Sequence, residues 1–263
     1  MADIEPVLQD LAGESARVDD MVALLEPAEW RWDTPAAGWT VAHQIAHLAW
    51  TDQKSLLAVR RPQDFQLEVR TAMVTDDFVD SGAAAGAAKE PGALLGEWRQ
   101  GRQELAAELR GLPVGTRVPW FGPTMSPGSM ASARLMETWA HGQDVADALG
   151  LPHEPGPWLR EIARFGVRTR DFAFGVHALD PPGAPFHVAL TGPQGQYWEF
   201  GPTDAEQRIT GSAWDFCLLV TQRRHRDDTD LRATGEDAMT WLGIAQAFAG
   251  PPGNGREAGQ FHE

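Results

Sequence analysis

The spacing of apolar positions changes character near residue 152. Before that point it is helical. Ile4, Val7, Leu8, Leu11, Val18, Met21, Val22 and Leu25 recur at helical intervals and predict an amphipathic helix over 4–25. Pro27 stops it. A loop with Asp33, Pro35 and Gly38 follows, and Thr40 is placed to cap a second helix to about 59. A third helix is expected over 64–78. The small residues of 82–88 read as a loop, and Pro91 sits in the first turn of a fourth helix ending near 109. Residues 113–128 are rich in Pro and Gly and carry the aromatic pair Trp120-Phe121. A fifth helix then starts at Ser126-Pro127 or at Ser129 and ends at Gly150.

After Pro152, Pro155 and Pro157 the pattern mixes periods. Residues 158–177 read as helix. Residues 186–190 and 196–200 read as two strands of a hairpin around Gly192-Pro193-Gln194-Gly195. Short strands are expected at 208–210 and 231–234, and helices at 213–222 (capped by Ser212) and 237–248. The organisation predicted is a helical bundle over 1–152, a small α+β domain over 153–250 and a flexible tail over 251–263.

Composition narrows the partners. The 263 residues carry a net charge of −15, which argues against nucleic-acid phosphates and anionic membrane surfaces as partners. No run approaches the roughly 18 apolar residues of a membrane span. Residues 3–25 are acidic and amphipathic and do not read as a signal peptide. Cys217 is the one cysteine, set in an apolar run, and is expected to be a buried structural thiol. A cytoplasmic protein acting on a small molecule is the expectation; the sequence leaves its oligomeric state open. There are 11 tryptophans. Trp39, Trp50 and Trp139 fall near the candidate chemistry, with core packing as their default role.

That chemistry rests on two helices. Glu137 and His141 are four residues apart, so both project from one helix face. His43 and His47 have the same spacing on the second helix, and His47 lies among Ile45, Leu48 and Ala49. Two imidazoles and a carboxylate brought together would leave open positions on a metal ion, the pattern of catalytic zinc and of non-heme iron. Spacing alone leaves a surface pair as the commoner outcome.

The phrase Gly38-Trp39-Thr40-Val41-Ala42-His43-Gln44-Ile45-Ala46-His47-Leu48 resembles the second-helix motif of the DinB-like superfamily. Glu137-Thr138-Trp139-Ala140-His141-Gly142-Gln143-Asp144-Val145 resembles the matching helix in its mycothiol-dependent maleylpyruvate isomerase branch. The second half is similar to the sterol-carrier-protein-like α+β domain often found behind it. The resemblance implies a metal held by His47, Glu137 and His141, zinc in that branch, though the same donors suit nickel or iron. It also implies mycothiol as the cofactor whose thiolate fills the open position. The activity implied is an isomerase or S-transferase acting on a small electrophile.

His43, Asp52, Asp144 and Arg134 are the further candidates. His43 reads as a fourth ligand, a group bonded to a ligand or a pocket-edge side chain, the last being favoured. Asp52 and Asp144 could bond a ligand imidazole or sit on a helix surface. Arg134 could meet an anionic substrate, with a surface ion pair favoured. Arg223-Arg224-His225-Arg226 is the one basic cluster, read either as a carboxylate contact or as a solvated helix end. Two other functions stay open. One is a zinc-dependent hydrolase or hydratase, with Asp144, Asp52 or His43 as base. The other is a non-catalytic, metal-stabilised ligand-binding module.

Overall fold

Helix caps fix where the chain turns. In the computed structural model, which describes residues 4–72, 77–250, 253 and 255–261, the first half holds helices α1 (Glu5–Val22), α2 (Val41–Arg60), α3 (Pro62–Ala72), α4 (Phe78–Ala87), α5 (Pro91–Gly111) and α6 (Pro127–Leu149). Thr40 and His43 form a reciprocal capping box at the start of α2. Ser126 accepts the Ser129 backbone N–H at the start of α6, with Pro127 in its first turn. Gly150 closes α6 in the left-handed conformation at φ 63°. The chain divides into two compact units, Met1–His153 and Glu154–Glu263.

Within the first unit, α2 is the hub: it packs against α3, α4, α5 and α6, while α1 lies along α6. Val18, Trp30, Val41, Ile45, Leu48, Leu94, Trp98 and Val145 fill one end of the bundle. Leu8, Leu56, Phe65, Leu105, Leu109 and Met130 fill the other. Asp19 on α1 accepts hydrogen bonds from Arg99 and Arg102 of α5, which ties those two helices.

The small-residue stretch 82–88 differs from its expectation. Up to Ala87 it belongs to α4 rather than to a loop. Its alanines favour helix, and its glycines serve packing. A Cβ at Gly86 would lie 2.7 Å from Ala46 Cβ, and one at Gly82 would lie 2.6 Å from Trp50 Nε1. The small face therefore lets α4 approach α2 closely. The third helix starts earlier than expected, at Pro62, and residues 73–76 of its expected span lie outside the described residues.

Gly142 makes a similar close contact between α1 and α6. A Cβ there would lie 2.6 Å from Val18 Cγ2, and Val18 is fully buried. Gly142→Ala gains about 1 kcal/mol of helix propensity but overpacks a closed interface at a cost of about 1–3 kcal/mol. A lowered melting temperature is the expected outcome, read by circular dichroism.

The second unit combines a sheet with four α-helices among its described residues. Residues 158–177 form two helices, α7 (Leu159–Arg168) and α8 (Arg170–Val176), broken at Thr169. The strands β1 (Phe186–Thr191), β2 (Tyr197–Phe200), β3 (Gln207–Ser212) and β4 (Arg232–Thr234) order as β2-β1-β3-β4. β1 and β2 form the expected antiparallel hairpin, whereas β1 and β3 pair in parallel, with Val188 opposite Ile209. β1 is buried from Phe186 to Leu190. Helices α9 (Ala213–Val220) and α10 (Glu236–Ile244) complete the unit. Cys217 is buried on α9, and burial raises its thiol pKa well above the usual range, so it is inert packing. Gly259 N–H donates to Asp228, and the Arg224 guanidinium lies 3.6 Å from the Phe261 ring centroid, which ties the 255–261 segment to the turn after α9. No described helix is long and apolar enough to cross a membrane.

Candidate metal centre

Helices α2 and α6 are the parts of the bundle that carry the candidate ligands. Crossing in the first unit, they bring His47, Glu137 and His141 together, with one ligand atom from each within 4.8 Å of the others. Glu137 Oε2 stands 3.2 Å from His141 Nε2 and 3.5 Å from His47 Nε2. The two imidazole centroids are 4.4 Å apart. A tetrahedral ion with bonds of about 2.0–2.1 Å separates its ligand atoms by roughly 3.3–3.4 Å. The two spacings about Glu137 Oε2 and the mixed nitrogen–oxygen set are therefore compatible with a divalent ion of zinc's size. Burial pushes the Glu137 carboxyl pKa up, but the hydrogen bonds and charges of His141 and His47 outweigh it and hold it well below the usual carboxylate range.

Aromatic rings wall the site. Trp39, in the turn before α2, stacks over His141 at 5.9 Å and lies 5.3 Å from His47. Its indole N–H donates to Asp80 on α4 at 3.0 Å. Trp50, one turn beyond His47, sits 6.1 Å from that ring and stacks on Phe121 from the 113–126 loop. Trp39 and Trp50 thus flank the ligands, while Trp139 is wholly buried core against His153.

The remaining candidates take other places. His43 caps α2, its Nδ1 accepting the Thr40 backbone N–H, and it stands apart from the cluster of His47, Glu137 and His141. It edges a pocket of about 280 Å³ with Gly38, Trp39 and Asp80. Asp52 and Arg134 pair with each other at 2.9 Å. The Arg134 pair is not a surface one, since its side chain is 2% exposed and joins α2 to α6. Burial raises the Asp52 carboxyl above its usual range against the downward pull of Arg134. Asp144 is fully buried one turn past His141.

Gln44 was no candidate in the sequence, yet it touches the site. Its Oε1 meets His141 Nδ1 at 2.5 Å, and its Nε2 donates to Thr34 Oγ1 at 2.8 Å. The signal was present: three residues before His47, Gln44 is a polar position on the buried side of α2, and a buried amide demands partners.

Residues 11–146, just over half of the chain, match the mycothiol maleylpyruvate isomerase N-terminal domain family, and the chain belongs to that family. Residues 182–234 match a wyosine base formation family. An uncharacterized protein in each of two strains of Mycobacterium tuberculosis is 55% identical over 258 residues, spanning 97% of this chain and 100% of the relative. The crystal structure of the mycothiol-dependent maleylpyruvate isomerase shares the fold at TM-score 0.59 and 18% identity, over 88% of this chain and 92% of that one. A histidine-to-alanine mutant of that enzyme matches at TM-score 0.57 and 18% identity, over 84% of this chain and 90% of the mutant chain.

Proposed function

We propose that His47, Glu137 and His141 hold one divalent ion, zinc by its donor set, and that the protein is a mycothiol-dependent isomerase or S-transferase of small electrophiles. The observation that carries this reading is the spacing of the ligand atoms, 3.2 and 3.5 Å about Glu137 Oε2. Family membership supports the thiol, since the related enzyme of known structure is named for its dependence on mycothiol.

When bound, zinc would supply a Lewis acid with an open position at which a thiol loses its proton near neutral pH. The chain's own residues do the rest. His47 and His141 contribute neutral donors, and Glu137 contributes one negative charge, so the site keeps net positive charge for an incoming thiolate. Trp39 and Trp50 lie beside the ligand imidazoles and narrow the approach to them. Glu137 as a ligand is not free to act as a general base, consistent with chemistry in which the nucleophile arrives with its cofactor. A reducing cytoplasm is the setting in which such a thiol cofactor works.

The test is a titration of cobalt-substituted protein with mycothiol. Thiolate binding is expected to bring an intense sulfur-to-cobalt absorption band and to change the d–d bands. If the spectrum is indifferent to mycothiol while the metal stays bound, the thiol part of the proposal fails.

A further inference from the structure

We infer that Gln44 is a positioning residue that sets the tautomer of His141, and that Thr34 and the Trp39 carbonyl set Gln44 in turn. This deepens the metal reading above and rests on it.

The observations form a chain of contacts. Thr34 Oγ1 donates to the Trp39 carbonyl at 2.8 Å. Its lone pair accepts from Gln44 Nε2 at 2.8 Å. The amide nitrogen is thereby directed at Thr34, and the amide oxygen is presented to His141 Nδ1 at 2.5 Å. An amide oxygen accepts only, so Nδ1 carries the ring proton. In the neutral ring that would take up a metal, Nε2 is then the bare nitrogen, and it is the one that stands 3.2 Å from Glu137 Oε2. Gln44 is fully buried, so water cannot replace it in this role.

The same chain joins the site's geometry to its wall. Trp39, whose carbonyl anchors Thr34, is the residue whose indole stacks over His141. The turn over 34–39 is also held by the Thr34 N–H to the Trp39 carbonyl at 2.8 Å. One short turn therefore orients a ligand through Gln44 and covers it with an aromatic ring. Among the described residues nothing gives His47 equivalent support, since its buried Nδ1 meets no hydrogen-bond partner there. Of the two imidazoles, His141 is the pre-oriented one.

Two measurements test this on the full-length protein. The first is zinc affinity by competition with a chromophoric chelator. Gln44→Met keeps the side-chain length and removes the acceptor, and it is expected to weaken zinc about 10–100-fold. Gln44→Glu restores an acceptor and is expected to bind within about threefold of wild type, a rescue that loss of packing alone would not produce. The second needs no variant: long-range proton–nitrogen correlation spectra of the histidine rings in zinc-loaded wild type. The expected pattern for His141 is a protonated Nδ1 and a metal-bound Nε2. The opposite tautomer, or wild-type affinity in Gln44→Met, overturns the role of Gln44 while leaving the metal centre standing. A wild-type protein that takes up no zinc overturns the centre itself and this inference with it.

Discussion

A His47→Ala, His141→Ala double variant is expected to purify with metal reduced from about one zinc per chain to background. Each histidine removes one of three donors, and a carboxylate alone holds zinc weakly in competition with water. The two residues come from different helices, His47 from α2 and His141 from α6, so each single variant also breaks the bridge the ion would make between them. Metal binding would be stabilising because it favours the folded chain alone. The melting temperature of wild type is therefore expected to rise with added zinc, and that of the double variant to stay flat. Elemental analysis and thermal melts check both. Unchanged metal content in the double variant would remove the metal reading altogether. Acidification is expected to release zinc from wild type, because protons compete for the two imidazoles.

Arg134→Ala is expected to give the largest loss of stability of any single change at the α2–α6 contact, about 3–5 kcal/mol. It strands Asp52, which is buried and accepts the Arg134 guanidinium at 2.9 Å. Denaturant unfolding of the metal-free protein measures the loss apart from zinc binding. The deficit has a predictable pH dependence. Burial already places the folded Asp52 pKa above its ordinary 3.8, and losing the guanidinium moves it further up. As pH falls through that raised value, Asp52 takes a proton in the folded chain while it is still ionised in the unfolded one. Folding then binds a proton and gains stability, and the gain is complete below about 3.8. The deficit therefore narrows on acidification. A double change, Arg134→Met with Asp52→Leu, is expected to recover most of the loss, since apolar groups of similar volume can replace a buried pair. If Arg134→Ala costs less than about 1 kcal/mol, the pair is not what joins these helices.

Asp52 and Arg134 stood beside His43 and Asp144 as candidates for the site's surroundings. The structure pairs Asp52 with Arg134 between α2 and α6 and places His43 in a helix cap. A residue's distance along a helix from a ligand says which turn it occupies. It does not say which neighbouring helix supplies its partner.

Much of the architecture was legible because it depends on local rules. Thr40, Ser126 and Gly150 mark helix ends by hydrogen bonding and backbone conformation that involve only near neighbours. The β1–β2 hairpin follows from alternation about a short turn. α4 was missed because a run of alanine and glycine has no hydrophobic period to detect. Its glycines make sense only against Ala46 and Trp50 of α2. The parallel pairing of β1 with β3 was hidden for a related reason. Parallel strands meet across a long connection, and no local pattern fixes that register.

By itself the sequence determined the helix faces: four-residue spacing put Glu137 and His141 on one side of α6, and an apolar setting put His47 on the buried side of α2. Tertiary structure decided the rest. Packing α2 against α6 brought the three side chains within 4.8 Å, set Trp39 over His141, and placed Gln44 Oε1 against its Nδ1. Periodicity is a property of one helix, whereas a coordination sphere and the proton on an imidazole depend on what the next helix presents.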